Sequence, residues 1–362
     1  MKAYLILEDG TVFIGSSIGA QREVISEIVF NTSMTGYLEV LTDPSYAGQA
    51  VTMTYPLIGN YGVCYQDMES KQAWPDGFLV RELSRCSSNF RKEDDLETFL
   101  IACNIPGIAG IDTRALTKRL REKGTMNGMI TTKEFKNLEE VLPLIKAYVP
   151  KDVVRKVTCK EKKILIPGDF DTEKIEIKKK VALLDLGTKH NIARSLLRRG
   201  CQVIIYPANT KAEEILKEKP DGIMLSNGPG DPKECVEIIE EIKKLCESSV
   251  PIFAICLGHQ LVALAHHADT YKMKYGHRGV NHPVKDLETG RVYLSSQNHG
   301  YVVDKETLDE KIAKVSFCNV NDGTIEGITY CGKKIFTVQF HPEACAGPQD
   351  TAFLFDKFIA ML

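Results

Sequence analysis

The sequence predicts an α/β protein of two parts, a β-rich mixed α/β domain followed by a doubly wound, mostly parallel sheet. Three observations carry that prediction. The chain has 362 residues, enough for two hydrophobic cores. Short apolar runs broken by turn residues fill the first third, whereas strand and helix patterns alternate from Val181 onward. Between them, residues 151–180 change composition, with ten Lys or Arg against six acids and a single aromatic, Phe170. That stretch reads as a solvated connector, which divides the chain into 1–150, 151–180 and 181–362.

The composition, 43% hydrophobic and 26% charged, is that of an ordinary globular protein, not a disordered or collagen-like one. With Lys+Arg 46 against Asp+Glu 48, the net charge of −2 offers nucleic acid or an anionic membrane no electrostatic attraction. Val250–Leu257 is the longest apolar run, far short of the ~20 residues a membrane span needs. A soluble, cytoplasmic protein is expected, and eleven cysteines without a C-x-x-C pair fit a reduced compartment and no zinc site.

In the first domain, Ala3–Leu7 and Thr11–Ile14 flank the hairpin-like turn Glu8-Asp9-Gly10. Ser26–Phe30 and Ala50–Tyr55 read as further strands. Asp94–Cys103 spaces Leu96, Phe99, Leu100 and Cys103 as one helix face, and Asp112–Lys123 is a helix with an Asp/Thr start and a stop at Gly124. In the second domain, strands at Val181–Leu186, Cys201–Tyr206, Gly222–Leu225 and Pro251–Ile255 alternate with helices at His190–Arg199, Lys211–Lys219, Glu234–Cys246 and Gly258–His267. Repeated βα units of this length form parallel sheets with helices on both faces. Val292–Ser295, Ile335–Phe340 and a closing helix, Thr351–Met361, complete the pattern.

Such sheets bind ligands beyond the carboxyl ends of their strands, so the loops after Leu225, Ile255 and Phe340 carry the chemistry. After Ile255, Cys256 stands between a strand and a helix N-terminus, with small Ala254 and Gly258 beside it. This is the sequence form of a nucleophile elbow, where the helix dipole favours thiolate; alone, it could equally be a buried structural cysteine. Ser226-Asn227-Gly228-Pro229-Gly230-Asp231-Pro232 follows Leu225 and can aim backbone N–H groups at an anion, or be a plain tight turn. It lacks the G-K-[ST] ending of a nucleotide loop. After Phe340, His341-Pro342-Glu343 lets Glu343 reach the His341 imidazole on an extended chain and leaves the other ring nitrogen as a base. The third of these loops of one sheet thus completes a Cys/His/Glu set.

Those three segments together resemble a class I glutamine amidotransferase domain. Asn31–Tyr37, Leu41–Tyr46, Thr54–Asn60 and Gly110–Arg114 add a resemblance to one family within that group, the small, glutamine-hydrolysing subunit of carbamoyl-phosphate synthase. Ala254 stands where that nucleophile motif usually has Gly, and Tyr301 where Phe is common. The resemblance implies a doubly wound sheet of amidotransferase type and hydrolysis of L-glutamine by a Cys256/His341/Glu343 triad through a thioester. It also implies an oxyanion hole of Leu257 and Gly230 N–H groups, and glutamine held by Ser45, Gly228, Gly230, Leu257, Gln260, Asn298, Gly300 and Tyr301. Ser45 lies in the first domain, which the resemblance makes a docking platform. Ammonia would pass to a separate large subunit that uses ATP, Mg and bicarbonate, with no cofactor or metal in this chain. Gly276-His277-Arg278-Gly279 and Asn281-His282-Pro283 are also family-like and are expected to shape a loop. A non-catalytic scaffold and a free-standing thiol hydrolase are the alternatives.

Overall fold

A computed structural model describes residues 1–135, 137–344 and 346–362. The chain divides into two compact units, Met1–Lys151 and Asp152–Leu362.

The first unit contains strands β1 (Lys2–Leu7), β2 (Val12–Gly19), β3 (Val24–Asn31), β4 (Gln49–Met53), β5 (Leu57–Ile58), β6 (Gly77–Val80), β7 (Glu82–Leu83), β8 (Pro106–Ala109) and β9 (Met126–Thr131). Its helices are α1 (Tyr37–Thr42), α2 (Leu96–Ala102), α3 (Thr113–Lys123) and α4 (Leu142–Lys146). Seven of the strands close into a barrel in the order β1-β2-β8-β6-β4-β3-β9. The Glu8-Asp9-Gly10 turn joins β1 to β2 in antiparallel register, with Gly10 at φ 86°, a conformation glycine adopts without strain. α3 starts as its residues require. The Asp112 side chain accepts from Ala115 N at 3.0 Å, and Gly124 ends the helix at φ 102°.

Closure of the barrel has a steric basis that hydrophobic periodicity does not carry. A Cβ on Gly107 of β8 would lie 2.5 Å from the Phe78 carbonyl oxygen, and one on Gly128 of β9 would lie 2.7 Å from Ile28 Cγ1. Glycine in these short strands is what lets neighbouring elements approach.

The second unit comprises α5 (Val153–Val157), β10 (Lys163–Leu165), β11 (Pro167–Phe170), β12 (Lys179–Asp185), α6 (His190–Leu197), β13 (Cys201–Pro207), α7 (Ala212–Lys217), β14 (Gly222–Leu225), α8 (Val236–Glu247), β15 (Ile252–Ile255), α9 (Leu257–Ala265), β16 (Thr270–Asp286), β17 (Val292–Val303), β18 (Ala313–Asn319), β19 (Ile325–Tyr330), β20 (Ile335–Val338) and α10 (Phe353–Met361). Among the described residues the sheet order is β10-β13-β12-β14-β15-β20-β19-β18-β16-β17. Its centre, β13-β12-β14-β15-β20, is parallel, and antiparallel strands extend both edges.

Side-chain alternation explains why helices cover both faces. Ala182, Leu184, Ile204, Tyr206, Ile223, Leu225, Ile252 and Ala254 share one core with Ile215, Ile242, Leu245 and Leu261 of α7, α8 and α9. Their neighbours Val181, Leu183, Val203, Met224, Phe253 and Ile255 share the other with Ile192 and Leu196 of α6 and Phe355 and Phe358 of α10. Each central strand is therefore buried on both sides and reads as a continuous apolar run.

Two segments differ from the sequence expectation. Residues 152–180 are built into the second unit instead of standing apart: Val153, Val154 and Val157 are buried and β10 pairs with β13. Three valines at helical spacing anchor the stretch while most of its lysines stay in solvent. Residues 276–283, expected to shape a loop, lie inside the 17-residue strand β16. Its pairing with β17 is interrupted by register shifts near Gly279 and after Lys272, so the glycines mark irregularities within a strand.

Candidate active site

β12 pairs with β13 on one side and β14 on the other, the point where a doubly wound sheet opens a crevice. The loops after β12, β14, β15 and β20 all leave from carboxyl ends there.

Cys256 ends β15 and opens α9 at φ 52°, ψ −105°. A non-glycine residue rarely holds this conformation unless its surroundings enforce it. Here Cys256 N donates to Val338 O at 2.8 Å, and Gly258 N donates to Ser226 O at 3.1 Å. A Cβ on Gly258 would lie 2.7 Å from the Leu225 carbonyl oxygen. The elbow expected from the small neighbours is thus present, and Ala254 fits as a buried strand residue. The Cys256 thiol is buried and points at the Asn298 carbonyl, 3.7 Å away.

His341 is held beside β17 by its own N–H, which donates to Ser296 O at 2.9 Å. Its Nδ1 meets Glu343 Oε1 at 2.7 Å. The pair forms differently from the extended geometry expected. Ala344 N donates to His341 O at 3.1 Å, closing a turn with Pro342 at its second position, where proline's fixed φ is favoured. The turn brings Glu343 back onto the ring. Among the described residues Nε2 is buried with no hydrogen-bond partner, and the Cys256 side chain lies near enough to affect its basicity.

The sequence reading missed Lys189. It follows β12, is 4% exposed, and its Nζ sits 2.8 Å from Glu343 Oε1 and 3.3 Å from Ala344 O. Asp185 Oδ1 accepts from the N–H groups of Gly187 and Thr188, and Asn227 Oδ1 accepts from Lys189 N. The signal lay in the fourth carboxyl-end loop, Asp185-Leu186-Gly187-Thr188-Lys189, where a lysine closely follows the apolar run Val181–Leu184 of β12.

The electrostatics of the row follow from its burial. Burial and the Lys189 charge push the His341 imidazole down, but the Glu343 charge, the nearby Cys256 side chain and the hydrogen bond to Glu343 outweigh them and raise its pKa. Burial works against the Glu343 carboxylate as well, yet Lys189 and His341 together hold it below its usual range.

The remaining predicted residues fall as follows. Gly228 approaches so closely that a Cβ would lie 2.3 Å from Leu186 O and 2.7 Å from Leu257 Cδ2, and Gly230 has φ 92°. The glycine loop therefore rests against the start of α9, where Leu257 contributes an N–H ahead of the helical ladder. Gln260 donates from Nε2 to Tyr301 O and to Gln339 Oε1, both at 2.9 Å, so any ligand contact falls to its Oε1. Asn298, Gly300 and Tyr301 lie along β17. Ser45 belongs to the first unit, where Asp43 Oδ1 accepts from its N–H at 2.8 Å; the other site residues belong to the second. His259, within the elbow motif, is a core residue: it meets Thr337 Oγ1 at 2.7 Å and burial lowers its pKa to about 3. Among the described residues no helix is long and apolar enough to cross a membrane.

Residues 182–361 match the family described as glutamine amidotransferase class-I, and residues 5–130 match the carbamoyl-phosphate synthase small chain, CPSase domain. The carbamoyl phosphate synthase small chain of Clostridium perfringens is 51% identical over 99% of this chain and 99% of its own length. That of Oceanobacillus iheyensis is 51% identical over 100% of this chain and 96% of its own, and that of Listeria monocytogenes serotype 4b is 50% identical over 100% and 97%. With both halves matched in order and half of all positions identical along the whole length, the chain belongs to the carbamoyl phosphate synthase small-chain family.

Proposed function

We propose that the chain hydrolyses L-glutamine to glutamate and ammonia and delivers the ammonia to a separate large chain, which joins it to bicarbonate at the expense of ATP. The observation that supports this best is the buried row Cys256–His341–Glu343–Lys189 assembled at the carboxyl ends of parallel strands of one sheet. The Cys256 sulfur attacks the side-chain amide carbon and its proton passes to His341 Nε2. The Leu257 and Gly230 N–H groups hold the oxyanion; loss of one such donor typically costs ~10²–10³ in rate. Collapse breaks the C–N bond, and His341 gives its proton to the departing nitrogen, leaving a γ-glutamyl thioester and ammonia. His341 then takes a proton from water, which attacks the thioester and releases glutamate and the thiol. Glu343 fixes the ring tautomer, and Lys189 holds Glu343. Gln260, Asn298, Gly300 and Tyr301 hold the substrate's α-amino acid end. The residues that do this are all supplied by the chain, without a metal or cofactor.

The test is glutamate release from glutamine, by the chain alone and with its large partner chain, ATP and bicarbonate. Release that rises with the partner and disappears in Cys256→Ala, with the fold retained, is the expected result. No release under either condition overturns the catalytic reading and leaves a scaffold.

A further inference from the structure

We propose that Glu326 is a positioning residue of the glutamine site, acting through Gln297 and His299 on the β17 segment Asn298–Tyr301. This role presupposes the glutaminase reading above. Behind that segment, His277, Gln297, His299, Asn319 and Glu326 are all buried, and their partners fix which way most of them point. Asn319 Oδ1 accepts from Asn321 N at 2.9 Å, so its Nδ2 donates to Glu326 Oε1 at 2.9 Å. The Ser295 hydroxyl donates to His282 O at 2.9 Å and so receives Gln297 Nε2 at 3.3 Å. The same Nε2 donates to Glu326 Oε1 at 2.8 Å. Gln297 Oε1 is thereby turned to His299 Nε2, 2.7 Å away, while His299 Nδ1 faces the Tyr301 carbonyl at 2.8 Å.

The run Glu326–Gln297–His299–Tyr301 O is thus fixed from one end: Glu326 holds the Gln297 amide, and that amide and the Tyr301 carbonyl together hold the His299 ring. The orientation of His299 therefore depends on Glu326. Tyr301 O also receives Gln260 Nε2, and Asn298 O faces the Cys256 thiol. Loosening His299 therefore loosens backbone that touches both the substrate-binding side chains and the nucleophile. The charged or titratable groups facing this run are His277, Arg278 and His282 from β16, His299 from β17, Asp322 from the β18–β19 turn, and Glu326 from β19.

The test compares Glu326→Ala and Glu326→Gln with the unsubstituted chain, each assembled with its large partner chain. Glu326→Ala should raise the glutamine KM about tenfold while kcat stays within about twofold. Glu326→Gln keeps an acceptor oxygen for the Gln297 and Asn319 amides and should hold KM near the unsubstituted value. An unchanged KM in Glu326→Ala, or equal damage in the two variants, would each overturn the proposal. Ring-¹⁵N signals of labelled histidines give a readout independent of activity: those of His299 should shift in Glu326→Ala, and an unmoved His299 overturns the proposal. If the unsubstituted chain releases no glutamate, the glutaminase reading fails while these signals still judge the network. His277, His299 and Glu326 could place ligand atoms within 4.8 Å of one another, so a stoichiometric stabilisation by added zinc would assign them to a metal and overturn the positioning role.

Discussion

Glu343 Oε1 receives both His341 Nδ1 and Lys189 Nζ, so one oxygen orients the imidazole and neutralises a buried ammonium. Glu343→Gln presents an amide to Nδ1 and can stabilise the wrong tautomer. In comparable triads that error costs up to ~10⁴ in rate, and kcat for glutamate release should fall by about 10²–10⁴ with the far-UV circular dichroism unchanged. A fall below tenfold would remove Glu343 from the catalytic row. Lys189→Met leaves a similar volume without the charge. It breaks a fully buried pair, which typically costs about 3–5 kcal/mol and should appear as a lower melting temperature. Because the Lys189 charge pushes the His341 imidazole down, its removal should also move the His341 titration to higher pH, observable by ring-¹⁵N signals. A downward or absent shift would contradict that electrostatic ordering.

The elements around the site are rigid because backbone meets backbone. Gly228→Ala would drive a methyl to 2.3 Å from Leu186 O, and Gly258→Ala would drive one to 2.7 Å from Leu225 O. Carbonyl oxygens of buried strand ends cannot rotate away as a side chain can. Each substitution should cost about 1–3 kcal/mol, measured by denaturant midpoint, and depress glutaminase activity by shifting the elbow. Gly323→Ala, with nothing within 4 Å of the added carbon but φ at 75°, gives the conformational cost alone as a control. The same backbone logic separates what was legible in the sequence from what was not. Cys256, the glycine loop and the helices at Asp112–Lys123 and His190–Leu197 announce themselves through local chemistry: small neighbours, caps and one-face periodicity. The barrel of the first unit does not, since Gly107 and Gly128 serve contacts between strands distant in sequence. Nor does Lys189, because a lysine before a helix is ordinarily solvated and only the return of Glu343 through the Pro342 turn buries it. Residues 276–279 and 281–283 read as loop because Gly276, Gly279 and Pro283 punctuate a strand whose partner, β17, lies across a turn and pairs with it irregularly.

At the scale of the whole molecule, the buried polar cluster of His277, Gln297, Asn319 and Glu326 ties β16, β17, β18 and β19 together and should make global stability depend on pH. His277 Nε2 meets Asp322 Oδ2 at 2.8 Å and its Nδ1 lies 3.5 Å from Glu326 Oε1. Burial lowers the imidazole's pKa, but the hydrogen bonds and charges of Asp322 and Glu326 outweigh it and raise the value to about 9. Asp322 moves the opposite way, to about 2, its hydrogen bonds to His277 and Thr324 overcoming burial. These are two faces of one ion pair and count once. A raised imidazole contributes stability that is fully present below its unfolded value of ~6.5 and is lost as pH climbs through about 9. The lowered carboxyl contributes above ~3.9 and loses its share as pH falls through about 2. The pair is therefore most stabilising between about pH 4 and 6.5. Asp322 is 40% exposed, so solvent screening reduces the shift's face value to about 1–3 kcal/mol. Chemical unfolding followed by ellipticity at pH 6, 8 and 10 should show the unsubstituted chain losing about that much more than His277→Asn between the first and last pH. Equal losses would mean the pair is not ionised. Trp74, the single tryptophan, lies in the first unit with Nε1 on Ser70 Oγ at 2.7 Å, so its fluorescence reports that unit separately. A pH difference seen in ellipticity but not in Trp74 emission would show the two units unfolding independently, and a shift in both channels would show them unfolding as one.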